Sequence, residues 1–202
     1  MSGQGTTSPP VYGLLLSGGG SRRMQRDKAH VEYGGEPQLF RAWRLLEAVA
    51  DQAFISARKD QCDDPVRAGL PLIADSYDSI GPAAGILSAQ EVHPGVAWLV
   101  LACDLPLLDL GTLQRLLTER DPGADATAFT SRHDGLPEPL CAIWEPASHA
   151  LLLRRYEDGQ YCPRKALIRS NTKLLPPPGD ALDNINSPAD LEQMRMAIEA
   201  RT

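Results

Sequence analysis

Two patterns of apolar residues occur along the first half of this chain: short uninterrupted runs and residues at helical spacing. Short apolar runs, typical of buried strands, occupy residues 11–16, 53–57, 71–74 and 97–102. Segments with apolar residues at helical spacing lie among them, at residues 38–50, 81–92 and 109–120. Asp109 begins the third of these segments and is expected to cap the helix through its side-chain oxygen. Strands that alternate with helices predict a mainly parallel sheet with helices on both faces.

The order of predicted elements changes after Asp121, where two predicted strands follow each other without a helix between them. Strands are predicted at residues 126–130 and 140–144, with a loop at 131–139 between them. The later predictions are helices at 147–156 and 164–170, an extended segment at 173–175 and a terminal helix at 189–200. The expected fold class is α/β, a Rossmann-like three-layer sandwich with a mainly parallel central sheet.

The polar N-terminal stretch differs from the rest of the chain. Residues 1–10 show no apolar periodicity and predict a disordered tail, and they lack the charged and apolar regions of a signal peptide. No flexible linker divides the remainder, and 202 residues with 43% hydrophobic content suit one core. We therefore expect a single domain over residues 11–202.

Composition and charge exclude several classes of partner. The formal net charge is −6, so no overall basic field attracts nucleic acid. No run of 18 apolar residues is present, so we expect no membrane partner. The cysteines carry no CxxC pair, which argues against a zinc knuckle or a disulfide framework. We expect a cytoplasmic protein in which Cys103 and Cys141 are buried thiols.

The segment after the first strand contains the residues best suited to binding phosphate groups. A glycine triplet at residues 18–20 is followed by Arg22, Arg23 and Lys28. Glycines let the backbone approach phosphate oxygens and aim its N–H groups at them, while the cations supply countercharge. The spacing fits neither the dinucleotide fingerprint nor the P-loop. The pattern therefore predicts a binding site for a nucleoside triphosphate that follows neither motif. The alternative is an ordinary glycine turn.

A carboxylate ends the most apolar strand of the sequence. Asp104 follows the run at residues 97–102, and Pro106 prevents further strand pairing. Ligands of open α/β sheets bind outside the carboxyl ends of the strands, where the glycine segment also lies. Asp104 is thus either a group that reaches the phosphates or a turn residue, and both interpretations are open at this point.

Together these motifs resemble the molybdenum cofactor guanylyltransferase family, within the Rossmann-like nucleotidyltransferases of the nucleotide-diphospho-sugar transferase type. That family reads Leu-Ala-Gly-Gly-x-Ser-Arg-Arg-Met-Gly-x-Asp-Lys at its first loop. The chain matches it at Leu16, Gly18, Gly19, Ser21, Arg22, Arg23, Met24, Asp27 and Lys28. Further matches are Asp75 ahead of Gly81-Pro82-x-x-Gly85, Cys103-Asp104-x-Pro106, and Asn184-Ile185-Asn186-x-Pro188. The resemblance covers residues 11–192.

The resemblance implies an enzyme that moves GMP from GTP onto the phosphate of molybdopterin, with or without molybdenum, and releases pyrophosphate. It implies that Lys28, Asp104 and Arg22 are catalytic and that Asp104 holds Mg²⁺. Contacts to the nucleotide would come from Leu16, Ser17, Gly18, Gly19, Lys28, Asp75 and Asp104. Asn184 and Asn186 would lie toward the pterin, and molybdoenzyme-maturation proteins would be further partners.

The chain departs from the family pattern at four places. Ser17 replaces an alanine, Gln25 a glycine and Ser56 an asparagine, and residues 159–165 replace an arginine-rich segment near the pterin. Two alternatives therefore stay open. One is a cytidylyltransferase or another small-molecule nucleotidyltransferase, and the other is a non-catalytic adaptor that binds nucleotide or pterin. The presence of Asp104 argues against the adaptor, because a protein that only binds nucleotide or pterin does not need a carboxylate to hold a catalytic metal ion.

Overall fold

A seven-stranded sheet forms the centre of the computed structural model, which describes residues 8–17, 32–33 and 36–183. The strands are β1 (Val11–Leu16), β4 (Gln52–Ala57), β5 (Leu72–Ala74), β6 (Ala97–Ala102), β7 (Ala126–Thr130), β8 (Pro137–Trp144) and β9 (Thr172–Leu175). A separate ladder pairs β2 (Glu32–Tyr33) with β3 (Glu36–Pro37) in antiparallel fashion.

The strand order in the sheet is β5-β4-β1-β6-β8-β7-β9. The first four of these strands pair in parallel, and so do β7 and β9. Only β8 is reversed in this sheet, because it is antiparallel to both of its neighbours, β6 and β7. The carboxyl ends of β5, β4, β1 and β6 therefore meet at one edge, which we call the carboxyl edge.

Five described helices cover the two faces of this sheet. They are α1 (Gln38–Glu47), α2 (Pro82–Val92), α3 (Leu110–Thr118), α4 (Ser148–Glu157) and α5 (Pro163–Ile168). Their apolar residues belong to two separate buried clusters, one with α1 and α3 and the other with α2, α4 and α5. Successive strand residues alternate between the clusters, as with Leu14 and Leu15 of β1. The three-layer α/β fold expected from the sequence is confirmed.

The core holds the residues that the apolar pattern indicated. Trp98 and Trp144 are fully buried, as is Leu99, and both cysteines predicted to be buried, Cys103 and Cys141, are buried. Burial raises the pKa of the Cys141 thiol to about 12. Among the described helices, none combines the length and the apolar character that a membrane crossing requires.

Strand β8 begins earlier than the sequence predicts. The loop expected at residues 131–139 ends at Leu136, because Pro137 pairs with Thr130 after a register shift in β7. Pro137 is the first residue of its strand, a position at which the missing N–H of proline is tolerated. The prediction was wrong for residues 137–139 because long-range pairing outweighed the loop-like composition.

The described end of the predicted tail contacts the sheet and the α3–β7 region. The N–H of Ala97 donates to the carbonyl of Pro10 at 2.9 Å. Arg120 donates to the carbonyl of Pro9 at 2.8 Å while it forms a buried ion pair with Glu145. Pro9 and Pro10 therefore belong to the folded part of the chain. The predicted helix at 189–200 lies outside the described residues.

Candidate functional site

The carboxyl edge brings together residues that are far apart in the sequence. Leu16 pairs with Ser56 on one side and with Ala102 on the other, and Ala57 pairs with Ala74. The residues that follow these strand ends therefore leave the sheet side by side. Among them are Ser17, Asp75 and Asp104, three of the residues that the sequence singled out. The position matches the rule that α/β sheets bind ligands outside the carboxyl ends of their strands.

Asp75 and Asp104 stand on opposite sides of Ser17. Asp75 follows β5 and Asp104 follows the loop residue after β6, while β4 and β1 lie between these two strands. Neighbouring strands are about 4.8 Å apart, so three spacings separate the two strand ends by about 14 Å. The edge thus offers two carboxylates at the two ends of an extended site, with the entry to the glycine segment between them.

Ser17 is held by the strand next to it. Its backbone N–H and its hydroxyl each donate to the carbonyl of Ser56 at 3.0 Å. The side chain is buried, and its hydroxyl also accepts a hydrogen bond from Arg67. The serine that replaces the family's alanine therefore fits a specific place in the structure.

Arg67 is a buried cation that the sequence did not indicate. It ends the short 3₁₀ turn Pro65–Arg67, which Asp64 caps by accepting from the N–H of Val66 at 3.0 Å. Its Nη1 lies 3.1 Å from Asp64 Oδ2. Its Nε donates to the Ser17 hydroxyl and its Nη2 to the Ser17 carbonyl, both at 2.9 Å. Arginines are rarely buried without such partners, and a single sequence gives no sign of which arginine turns inward.

Asp75 is buried beside Ser56, the residue that replaces the family's asparagine. The Ser56 hydroxyl donates to Asp75 Oδ1 at 2.7 Å, and the Asp75 N–H donates to the carbonyl of Ala57 at 2.9 Å. Burial raises the pKa of the Asp75 carboxyl, and the Ser56 hydrogen bond and the charge of Arg58 partly oppose that shift. The site thus keeps a carboxylate in a poorly solvated place.

Helix α2 approaches Ser56 through a glycine. A Cβ added at Gly85 would lie 2.2 Å from Ser56 Oγ and 2.7 Å from Leu16 Cδ2. The helix starts at Pro82, after Gly81 with φ of +65°. The Gly-Pro-x-x-Gly pattern therefore has a structural reason: one glycine supplies a left-handed backbone and the other lets the helix pack closely against β1 and β4.

Asp104 lies on a loop that is packed against the body of the protein. The N–H of Cys103 donates to the carbonyl of Leu16 at 3.4 Å, which extends the strand pairing to the residue before Asp104. The leucines that follow, Leu105 and Leu108, are buried, while Asp104 is partly exposed. The backbone therefore fixes the position of a carboxylate that remains accessible to a ligand.

Asp104 has the chemistry of a ligand for a hard divalent cation. Within the described ranges, no group of three or more His, Cys, Asp or Glu residues could cage a metal ion. Mg²⁺ is usually bound by one or two carboxylates together with substrate phosphates and water. Asp104, a partly exposed carboxylate at the carboxyl edge, is compatible with that mode.

Comparison with known proteins identifies the family. A family model described as the MobA-like NTP transferase domain matches residues 13–174. This chain belongs to the MobA-like NTP transferase family. The match runs from β1 into β9 and includes the strands of the carboxyl edge.

Individual relatives agree with that assignment. A molybdenum cofactor biosynthesis bifunctional protein of Synechocystis is 37% identical over 186 residues, which are 92% of this chain and 54% of the relative. The chain therefore spans about half the length of that relative. A molybdenum cofactor guanylyltransferase of Pseudomonas putida is 31% identical over 188 residues, which are 91% of this chain and 97% of the relative.

A solved structure shares the fold. Molybdopterin-guanine dinucleotide biosynthesis protein A from Archaeoglobus fulgidus superposes with a TM-score of 0.79 and 22% identity, covering 94% of this chain and 99% of that one. The expected nucleotide-diphospho-sugar transferase type of Rossmann-like fold is therefore confirmed.

Several family positions lie outside the described residues. These are Gly18, Gly19, Arg22 and Lys28 of the first loop, together with Asn184 and Asn186. The flanking residues are described, since Ser17 precedes the first group and Asp183 the second. Asp183 accepts from Arg132 Nε at 3.0 Å, so the loop between β7 and β8 contacts the residue before Asn184.

The segment that replaces the family's arginine-rich stretch follows α4 and includes the first turn of α5. Its Arg164 forms ion pairs with Asp134 at 3.0 Å and with Glu138 at 2.8 Å. Both carboxylates belong to the β7–β8 loop or the start of β8. The charge of Arg164 is therefore largely balanced by the protein, and its ion pairs tie the segment to that loop.

Proposed function

We propose that this protein transfers GMP from GTP onto the phosphate of molybdopterin and releases pyrophosphate. The observation that carries the proposal is the alignment of Ser17, Asp75 and Asp104 along one sheet edge, at the entry to the glycine segment. The family assignment supports nucleotidyl transfer, and the name of the Pseudomonas putida relative supports guanylyl transfer to the molybdenum cofactor.

The acceptor does not require a general base. A phosphate monoester has a second pKa of about 6, so it is already largely ionised at neutral pH. The task of the protein is to bring two polyanions together and to stabilise the charge of the leaving pyrophosphate. We assign this task to the N–H groups of the glycine segment and to the cations Arg22 and Lys28.

Asp104 is the residue that we assign to Mg²⁺. Nucleotidyltransferases generally use a divalent metal, and the ion neutralises phosphate charge and orients the phosphates when it is bound. Asp104 contributes a fixed carboxylate because its loop is packed through Leu105 and Leu108.

Asp75 is the residue that we assign to the base of the nucleotide. The strand spacing separates it from Asp104 by about 14 Å along the edge, and this separation supports assigning Asp75 to the base and Asp104 to the phosphates. A carboxylate accepts two hydrogen bonds side by side, and the Watson–Crick edge of guanine presents adjacent donors, including its amino group. The Ser56 hydrogen bond orients the carboxylate for this contact.

GTP is expected to bind more tightly than CTP or ATP by about tenfold or more, or about 1.4 kcal/mol. The physical reason is that a site built to pair with polar base edges loses affinity when its buried groups are left unpaired. Equilibrium binding of each nucleotide in the presence of Mg²⁺ provides the measurement. Equal affinity for all three nucleotides would contradict guanylyl transfer, and a preference for CTP would favour the cytidylyltransferase alternative.

Asp75→Asn is expected to weaken GTP binding and to raise the melting temperature at about pH 7. Because folding raises the pKa of Asp75, its contribution to stability is present below the ordinary pKa and is lost as the pH rises through the raised value. The stability gain of the variant should therefore disappear below about pH 3, where the carboxyl is protonated in both states.

Thermal melts and GTP titrations of the same Asp75→Asn sample check both halves of this expectation. Asp63, an exposed aspartate, provides the control, since Asp63→Asn should change neither quantity. A variant that binds GTP like the wild type would show that Asp75 does not contact the nucleotide.

We also propose a cytoplasmic location and delivery of the product to molybdoenzyme-maturation proteins. The four cysteines, all within the described residues, are free thiols, and two of them are buried. Such thiols persist in reducing compartments. A dinucleotide cofactor made at an open sheet edge must then be handed to a protein that inserts it.

A further inference from the structure

A buried arginine lies next to the entry of the nucleotide site. Arg67 is only 1% exposed, and it follows β4 in the chain, on the connection to β5. Removing a guanidinium from water is costly unless its charge and its donors find partners. Asp64 balances the charge of Arg67, and Ser17 accepts hydrogen bonds from two of its donors. Its partners therefore indicate what the residue does.

The contact to Ser17 uses two donors of the planar guanidinium. Nε donates to the Ser17 hydroxyl and Nη2 to the Ser17 carbonyl, each at 2.9 Å. A planar fork that bonds to two atoms of one residue fixes the orientation of that residue as well as its position. Because the peptide bond is planar, a fixed Ser17 carbonyl also fixes the plane of the peptide that leads into the glycine triplet.

The same serine connects Arg67 to the other side of the site. The Ser17 hydroxyl accepts from Arg67 and donates to the carbonyl of Ser56 at 3.0 Å. The Ser56 hydroxyl in turn donates to Asp75 at 2.7 Å. Ser17 and Ser56 thus join Arg67 and Asp75 in one buried chain of polar contacts. Alanine at position 17 would keep the carbonyl acceptor and lose the hydroxyl that Nε requires.

We infer that Arg67 is a positioning residue for nucleotide binding and that it acts through Ser17. The inference rests on the proposed function, since the glycine segment matters here as the phosphate-binding part of that site. Arg67 is too deeply buried to contact the nucleotide, so its effect is on the direction in which the chain leaves β1. Asp64 supports this role because it pairs with Arg67 and caps the turn that carries it.

The test compares Arg67→Met, Ser17→Ala and the double variant with the wild type. Arg67→Met should raise the KM for GTP by about tenfold or more, because small displacements of binding groups have large effects. Ser17→Ala should raise it by about fivefold, the scale of one lost hydrogen bond. The kcat should fall as well, because the glycine segment is also assigned to the leaving pyrophosphate, whereas the KM for molybdopterin should stay unchanged. The double variant should raise the KM by less than the product of the two single effects, since both changes break the contact between Arg67 and the Ser17 hydroxyl, and only Ser17→Ala also removes the hydrogen bond to Ser56.

Arg115→Met is the matched control. Arg115 lies on α3, pairs with Glu119 at 2.8 Å and is partly exposed, so its loss should leave the KM for GTP unchanged. A merely structural Arg67 would lower the melting temperature without changing the KM for GTP, and that result in a folded variant would overturn the inference. Should Arg67→Met fail to fold, a wild-type KM in Ser17→Ala would overturn it equally.

The two proposals can fail separately. If the wild type transfers GMP and the variants share its KM, only the positioning role is wrong. If the wild type binds a nucleotide without transferring it to molybdopterin, the proposed function is wrong, and the dissociation constants of the same variants for that nucleotide decide the role of Arg67. A wild type that binds none of GTP, CTP and ATP would overturn both.

Discussion

Asp104→Asn is expected to lower GMP transfer by about a hundredfold or more, equivalent to about 2.7 kcal/mol in the transition state. Asparagine keeps the shape of the side chain but removes the negative charge that a hard divalent cation requires. The fold should survive, because Asp104 is partly exposed and the neighbouring leucines carry the packing of its loop. Pyrophosphate release measured across a Mg²⁺ titration should show partial recovery at high Mg²⁺ concentration.

Asp121→Asn provides the control for this experiment. Asp121 is an exposed turn residue whose carboxylate accepts from the N–H of Gly123 at 2.9 Å, and it precedes β7 at the opposite edge of the sheet. Its variant should retain wild-type activity and metal dependence. If Asp104→Asn behaved in the same way, Asp104 would be a turn residue and the metal assignment would be wrong.

Lys28→Ala is expected to lower the rate of transfer at subsaturating GTP by about a hundredfold to a thousandfold, or roughly 2.7–4 kcal/mol. The reason is the loss of a cation that we place against the phosphate oxygens of GTP. The measurement is the initial rate of pyrophosphate release at GTP concentrations below KM, with the melting temperature followed in parallel.

Two further variants define what the Lys28 result means. Lys28→Arg keeps the charge and should retain more activity than Lys28→Ala. Lys173→Ala removes an exposed lysine from β9, an edge strand at the far side of the sheet, and should have no effect. A wild-type rate in Lys28→Ala would show that the phosphates bind elsewhere.

The central strands could be predicted from the sequence with their observed ends. Val11–Leu16 and Ala97–Ala102 are uninterrupted apolar runs that the sheet buries on both faces. The helix cap was also predicted correctly, since Asp109 accepts from the N–H of Thr112 at 2.7 Å. In these places the local pattern and the tertiary structure favour the same conformation.

The start of β8 could not be predicted because it depends on a distant partner. Residues 137–139 contain two prolines and a glutamate, a composition typical of loops. In the structure, β7 offers a pairing partner to Pro137 after its register shift, and tertiary pairing outweighs the local preference.

The candidate site was predictable where it follows from strand ends. Asp75 and Asp104 stand directly after or close to apolar runs, so their common edge follows from a parallel sheet. Arg67 was not predictable, because its role depends on contact with Ser17, 50 residues earlier in the chain. The two serines that depart from the family pattern, Ser17 and Ser56, are adjacent members of that same buried network.

The most direct test of the account uses GTP labelled at its α-phosphate, together with Mg²⁺ and molybdopterin. Guanylyl transfer predicts that the label moves to the molybdopterin phosphate and that one pyrophosphate is released for each labelled product. The wild type and Asp104→Asn are compared under the same conditions, and only the wild type should give rapid transfer. If the wild type left the label on GTP, or moved label only from CTP, guanylyl transfer to molybdopterin would be contradicted.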